Sequence, residues 1–265
     1  MKYDLLLRLQ RFNNHYQDQD DIDTRILKYL MNHMNLGTIT LRHIAEECYT
    51  SKSSVHRFIK KLGYASFSEF QMSYYNIPTT RREAKIDAQI VAKGNNSNDN
   101  EFIRHRFDLI LNDLNAYREE INLAQIEYVA DLIHQYKHVH IYSTMIPGNL
   151  AEILQFQLLA AEKHIEYFPL LGDQIKMAET LDKDSLAIFI SLEGSYISNK
   201  ELTLKIIASD AYRLLITQNP NMKFSNLFDK VVPLGSHHHE LSGKYKLLIF
   251  IEFLIHKYHL KYGNI

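Results

Sequence analysis

The chain has 265 residues, 46% of them hydrophobic and 23% charged, with a formal net charge of −1. That length fits about two domains, each able to hold its own core, and the composition excludes a disordered or collagen-like chain. One cysteine, Cys48, rules out an internal disulfide and fits a reducing cytoplasm, and no apolar run approaches the roughly 18 residues of a membrane span.

Residues 1–20 read as a first helix, with Tyr3, Leu6, Leu7, Leu9 and Phe12 as its apolar stripe; the charged start MKYDLLLRLQRF is not expected to be a secretory signal. A second helix is expected to start at Asp23 or Thr24, with Ile26, Leu27, Leu30, Met31 and Met34 on one face, and to stop at Gly37. Thr40 is placed to cap a third helix, on which Leu41, Ile44, Ala45 and Cys48 recur at helical spacing. Ser51 caps a fourth, with Val55, Phe58, Ile59 and Leu62 as its back and Gly63 as its stop. The other side of that helix carries Lys52, Ser53, Ser54, His56, Arg57, Lys60 and Lys61. Such a helix suits a DNA major groove, and it equally suits a plain helical hairpin with a solvated basic face. Ser66 to Glu69 forms a capping box for a fifth helix, which Pro78 ends.

Charge is unevenly spread. Residues 1–85 hold 13 Lys+Arg against 9 Asp+Glu, and residues 86–265 hold 17 against 22. Between residues 51 and 82 the bases Lys52, Arg57, Lys60, Lys61, Arg81 and Arg82 face only Glu69, a modest excess of the kind phosphate neutralisation needs.

The run KGNNSNDN at 93–100 reads as a linker, which gives a helical domain at 1–78, a connection at 79–100 and a second domain at 101–265. In the second domain helical patterns at 101–117 and 126–136 precede short apolar runs that alternate with helices. Strands are expected at 139–143, 165–168, 186–191, 212–217 and 230–234, and helices at 149–162, 174–180, 197–208, 223–228 and 243–262. This alternation implies an α/β three-layer domain with a parallel sheet covered on both faces. Ligands bind such sheets at the carboxyl ends of the strands, where the loops here carry Ser143, Thr144, Ser191, Ser195 and Thr217.

Residues 51–70, SKSSVHRFIKKLGYASFSEF, resemble the helix-turn-helix signature of the RpiR family of transcriptional regulators, roughly S-x-x-T/S-V-x-R-F-x-x-K-L-G-[FY]-x-x-[FY]-x-E-[FL]. The resemblance implies that Thr50, Ser51, Lys52, Ser53, Ser54, His56, Arg57, Lys60 and Lys61 meet operator DNA. It also implies a C-terminal sugar isomerase (SIS) domain, its parallel sheet in flavodoxin-like order, that senses a sugar phosphate. Because the excess of base on one copy is modest, a homodimer spanning two half-sites is expected. In that family the first and third strands are followed by G-x-G-x-S and S-x-S-G-x-T. Here Ser143 and Met145 stand at the glycines, Pro147 at the first serine, Glu193 at a later serine and Tyr196 at the threonine, while Ser191 and Gly194 match and Ser195 lies beside them. The expected ligand set is Ser143, Thr144, Ser191, Glu193, Gly194 and Ser195, for a sugar phosphate in an altered pose or for a neutral or amino sugar. A domain kept only for dimerisation, or an isomerase with Glu193 as its base, are the alternatives. His237-His238-His239-Glu240 has no Cys/His partner cluster near it in sequence. No catalytic residue, metal or cofactor is assigned.

Overall fold

The computed structural model describes residues 4–15, 21–34, 39–75, 99–192, 194, 197, 199–222, 224–236 and 242–263. Contacts divide the chain into two compact units, residues 1–99 with 170–173, and residues 100–169 with 174–265. The expected stops at Gly37 and Pro78, Arg81, Arg82 and the linker up to residue 98 lie outside the described residues.

The first unit contains α1 (Asp4–His15), α2 (Ile22–Asn32), α3 (Leu41–Glu47), α4 (Lys52–Lys61) and α5 (Phe67–Tyr75). Side-chain caps set the starts. Asp21 accepts the Thr24 N–H at 2.8 Å, which begins α2 one or two residues before the expected start at Asp23 or Thr24. Thr40 accepts from His43 N–H and Ser51 from Ser54 N–H, both at 3.1 Å. The capping box of α5 is offset: Ser66 Oγ takes the Glu69 N–H, but the Glu69 carboxylate takes the N–H of Ala65 and not of Ser66. Leu5, Leu9 and Phe12 form the buried side of α1, whereas Leu6 is half-buried. Phe12 meets Phe58 edge to face at 5.0 Å. Arg8 donates to the carbonyls of Leu62 and Gly63 at 2.9 and 2.7 Å and lies over the Tyr64 ring, so α1 caps the end of α4. Gly63, with φ +84°, makes the left-handed turn that the cap requires. Cys48 is buried, and burial pushes its thiol up to about 11, which leaves it an unreactive core residue.

Apart from Asp99 and residues 171–173, which fall in the first unit, the second unit contains α6 (Asp99–Glu120), α7 (Leu123–Gln135), β1 (His138–Ser143), α8 (Met145–Leu159), β2 (Glu166–Tyr167), α9 (Leu171–Met177), β3 (Ser185–Ile190), α10 (Lys200–Ile207), β4 (Tyr212–Thr217), β5 (Lys230–Pro233) and α11 (Gly243–Tyr262). The five strands are parallel in the order β2-β1-β3-β4-β5, the flavodoxin-like order that the SIS resemblance implies. Val139, Ile141, Ile188 and Leu214 share one core with α7, α8 and α11. Alternate positions point the other way, where Tyr142 stacks on Phe189 at 5.3 Å and Phe228 meets Phe189 edge on. The helix expected at 223–228 is a single 3-10 turn at Ser225–Leu227.

Helix α8 starts at Met145, four residues before its expected start at 149. Pro147 lies in the first turn, where a missing N–H leaves no helical bond unmade. Residues 145–148 are therefore helix and not loop.

On β1, His140 is buried, with Nδ1 3.4 Å from the Glu166 carboxylate across the β1–β2 pair. Burial outweighs that carboxylate and the pull of Asp182, and with His138 and His164 adding to the downward side, its pKa falls below the ordinary 6.5. A histidine lowered by folding contributes stability that is present above the unfolded value and is lost as pH falls below it. His140→Leu should therefore show a shallower loss of stability between pH 6.5 and 5 than the parent chain, in urea melts across that window. Parallel pH profiles for the two proteins would show that His140 is not the group titrating.

Candidate nucleic-acid and effector sites

Val55, Phe58 and Ile59 are fully buried, so the apolar side of α4 is used within its own unit. The opposite side exposes Lys52, Ser53, His56, Arg57 and Lys60. Ser54 is half-buried, and its Oγ lies 3.0 Å from the Ser51 Oγ, so the cap engages it and Ser53 is the outward serine. Thr50 is half-buried and donates its N–H to Ala45 at 2.9 Å. Lys61 is paired with the Asp23 carboxylate of α2, an intramolecular partner that the sequence did not indicate. Lys60 and Lys61 also stand at the negative end of the α4 dipole, an ordinary reason for bases there.

Sequence reasoning missed Tyr49 in the turn before α4. It is 88% exposed and has φ +50°, a left-handed backbone that a bulky residue adopts at a cost of about 1 kcal/mol or more. No sequence signal marks it, because an aromatic residue is a poor indicator of a left-handed turn.

The carboxyl edge of the sheet brings Ser143, Gln174, Ser191, Thr217 and Gln218 into buried positions. The Ser143 Oγ has no hydrogen-bond partner among the described residues. Its carbonyl accepts from Gln174 Nε2 at 2.8 Å, and the same amide nitrogen reaches the Phe168 carbonyl at 2.6 Å. Thr144 is the residue before α8, with no side-chain cap to that helix. Met145 has φ +60°, so a left-handed residue persists at a position where the family pattern has glycine. Ser191 donates its N–H to Ile216 at 3.1 Å, and Thr217 Oγ1 donates to Leu192 at 3.1 Å. Gly194 has φ +82°, and a Cβ there would collide with Met222. Glu193 and Ser195 of the expected ligand set, and His237–Glu240, lie outside the described residues. Among the described residues no cluster of His, Cys, Asp or Glu is placed to hold a metal, and no helix is long and apolar enough to cross a membrane.

A second feature absent from the sequence reading is a buried ion pair. Lys246 on α11 donates to Asp113 on α6 at 2.8 Å, and Ser242 donates to the same carboxylate. Both charged side chains are almost fully buried. Their separation of 133 positions hides the pair from any local pattern. Beside it, Gly243 opens α11 against the Gln218 side chain, with no room for a Cβ.

Residues 6–76 match the model of the helix-turn-helix domain of the rpiR family. Over 61 residues the chain is 38% identical to the HTH-type transcriptional regulator GlvR of Bacillus subtilis (strain 168), covering 23% of this chain and 24% of that one. It is 20% identical over 176 residues to an uncharacterized HTH-type transcriptional regulator in the aarA 3' region of Providencia stuartii, covering 65% and 61%. The match thus spans under two thirds of the length of both relatives. Among solved structures, the sugar isomerase domain of the RpiR transcription factor from Sphaerobacter thermophilus has a TM-score of 0.50 at 15% identity, over 59% of this chain and 88% of that one. The Vibrio vulnificus NanR protein complexed with ManNAc-6P aligns over 96% and 92%, with a TM-score of 0.46 at 16% identity.

Removing one member of the buried pair leaves the other charge uncompensated. Asp113→Ala should lower unfolding free energy by about 3–5 kcal/mol, and adding Lys246→Met should restore a large part of it. Chemical denaturation of the two variants checks this; a double variant as weak as the single would contradict it.

Proposed function

We propose that this chain, whose N-terminal domain belongs to the rpiR helix-turn-helix family, is a DNA-binding transcriptional regulator of carbohydrate genes whose C-terminal domain takes a sugar or sugar-phosphate effector. The observation that carries the reading is α4, with its apolar side spent inside the domain and Lys52, Ser53, His56, Arg57 and Lys60 left outside. In this reading Lys52, Ser53, Ser54, His56 and Arg57 enter the major groove, while Thr50, Ser51, Lys60 and Lys61 border the backbone. Tyr49 joins them, its exposed ring on the flanking sugar-phosphate chain. One α4 brings few cations, so two copies on half-sites about 34 Å apart are needed for useful affinity. The reading assigns no catalytic step, metal or cofactor, and it places the chain in the cytoplasm with its DNA.

For the effector, the support is the parallel fold together with the hydroxyls of Ser143, Thr144 and Ser191 near the carboxyl ends of β1 and β3. Glu193, Gly194 and Ser195 complete the proposed set. Pro147 removes one of the N–H groups with which the first turn of α8 would hold an anion, which favours a weakly bound phosphate or an uncharged or amino sugar. Ligand-driven change in DNA affinity requires that the effector bind the two states of a homodimer unequally.

The full chain should enrich a two-fold-symmetric duplex from a randomised pool, with log affinity falling linearly against log salt. Tyr49→Gly should weaken binding to that duplex about tenfold while leaving the melting temperature unchanged or higher. No enrichment over shuffled duplex ends the DNA reading; enrichment with an unaffected Tyr49→Gly variant removes Tyr49 alone. In a thermal-shift panel of sugars paired with their phosphates, at least one member should raise the melting temperature, and Ser143→Ala with Ser191→Ala should abolish that rise. A flat panel would leave the C-terminal domain as a dimerisation module.

A further inference from the structure

Helix α6 is long and shallowly seated. Among its described residues only Tyr117 is buried. Polar contacts tie its inner side to the chain after β5. Asp113 accepts from the Lys246 ammonium at 2.8 Å and from the Ser242 hydroxyl. Two turns on, Glu120 accepts from the Ser236 N–H at 2.6 Å and from the Ser236 hydroxyl. Asp113, Tyr117 and Glu120 follow each other at i, i+4 and i+7, so one side of α6 carries both carboxylates. Every group they take is a donor, and these donors lie between the end of β5 and the first turn of α11. A lysine in a first turn opposes the helix dipole, so helix stability does not account for Lys246, whose side chain is 1% exposed. Ser242 stands at the N-cap of α11 without capping it, its hydroxyl being turned to Asp113. Gly235 joins the two contacts: a Cβ there would lie 3.0 Å from the Glu120 carboxylate and 3.8 Å from Lys246 Nζ.

We propose that this set of donors is an anion site which α6 fills with its own carboxylates, and that a phosphate dianion, free or as a monoester, takes the site by displacing α6. An ammonium, two hydroxyls and a main-chain N–H are donors that make strong, charge-assisted bonds to an oxyanion. A phosphate brings up to two charges and three acceptor oxygens on one centre, where the chain uses two separate side chains. Asp113 and Glu120 would repel it at contact distance, so occupancy is exclusive: the anion enters only when both carboxylates leave. Displacement gives up the burial of Tyr117 but of no other described α6 residue. A buried ion pair is in any case weak evidence of a purely stabilising role, since an apolar pair of the same volume often serves as well. Helix α6 directly follows the stretch expected to link the two domains, so its release alters the segment that carries the N-terminal domain. The site is separate from the hydroxyls of Ser143 and Ser191 near the ends of β1 and β3, and it stands or falls apart from the effector reading.

The test titrates the full-length protein calorimetrically with inorganic phosphate and with glycerol 3-phosphate, and follows the α6 amides by hydrogen exchange. At least one probe should bind the parent chain, and saturation should speed α6 exchange about tenfold or more. Asp113→Asn keeps the shape of the side chain and removes the competing charge. It should bind the same probe about tenfold tighter, because apparent affinity is lowered by the fraction of time a site is filled from within. Adding Lys246→Met to Asp113→Asn leaves no buried charge unpaired, and should remove both the gain in affinity and the exchange response. If Asp113→Asn fails to fold, Glu120→Gln at the exposed end of α6 decides, with an expected gain of about threefold. Binding of glycerol 3-phosphate alone makes the ligand a monoester, and binding of inorganic phosphate as well makes the site one for the bare ion. A parent chain that binds neither probe overturns the proposal, even where Asp113→Asn binds one, since the carboxylate is then no displaceable occupant. Unchanged α6 exchange at saturation, or a gain that survives Lys246→Met, overturns it too.

Discussion

Val55, Phe58 and Ile59 admit no solvent, and this burial fixes which side of α4 remains for any partner. The rest of the N-terminal unit follows from holding that side down. Phe12 from α1 meets Phe58, and Arg8, one turn earlier, reaches the carbonyls that end α4. Tyr64 and Phe70 pack at 5.6 Å beyond the turn at Gly63. Ser51 fixes the other end of the helix. With both ends capped and the back enclosed, α4 presents its outer residues as a rigid row. Base-edge contact requires such a row, because each hydrogen bond then forms without first ordering the helix that carries it.

The C-terminal unit departs from the pattern it resembles at the carboxyl edge of its sheet. The left-handed backbone at residue 145 is one that glycine adopts freely, yet methionine occupies that position and proline stands two residues on. Pro147 leaves the first turn of α8 with one N–H fewer at that edge. Polar groups still gather at this edge, and Gln174 ties the end of β1 to the residue after β2.

The strands were legible because parallel strands buried on both faces appear as unbroken apolar runs, such as 186–190 on β3. Limits at 212–217 and 243–262 agree with the observed β4 and α11. The caps at Thr40 and Ser51 were equally readable, since hydroxyls before an apolar repeat have one common local use. What was not readable has a shared cause. The start of α8 depended on whether Pro147 fell inside a first turn or beyond it, which spacing does not decide. Asp113 with Lys246, and Asp23 with Lys61, are pairs that only the folded chain brings together. Tyr49 gives no sign of its left-handed backbone.

Both margins of the sheet are blunt. On one side β2 has two residues, and on the other β5 has four and ends in Pro233, which has no N–H to donate. A passing strand from another molecule would find few ladder partners on either margin, so growth by strand addition is disfavoured. The chain can therefore carry a strongly apolar parallel sheet through synthesis and concentration in the cell with little tendency to polymerise as extended β-structure.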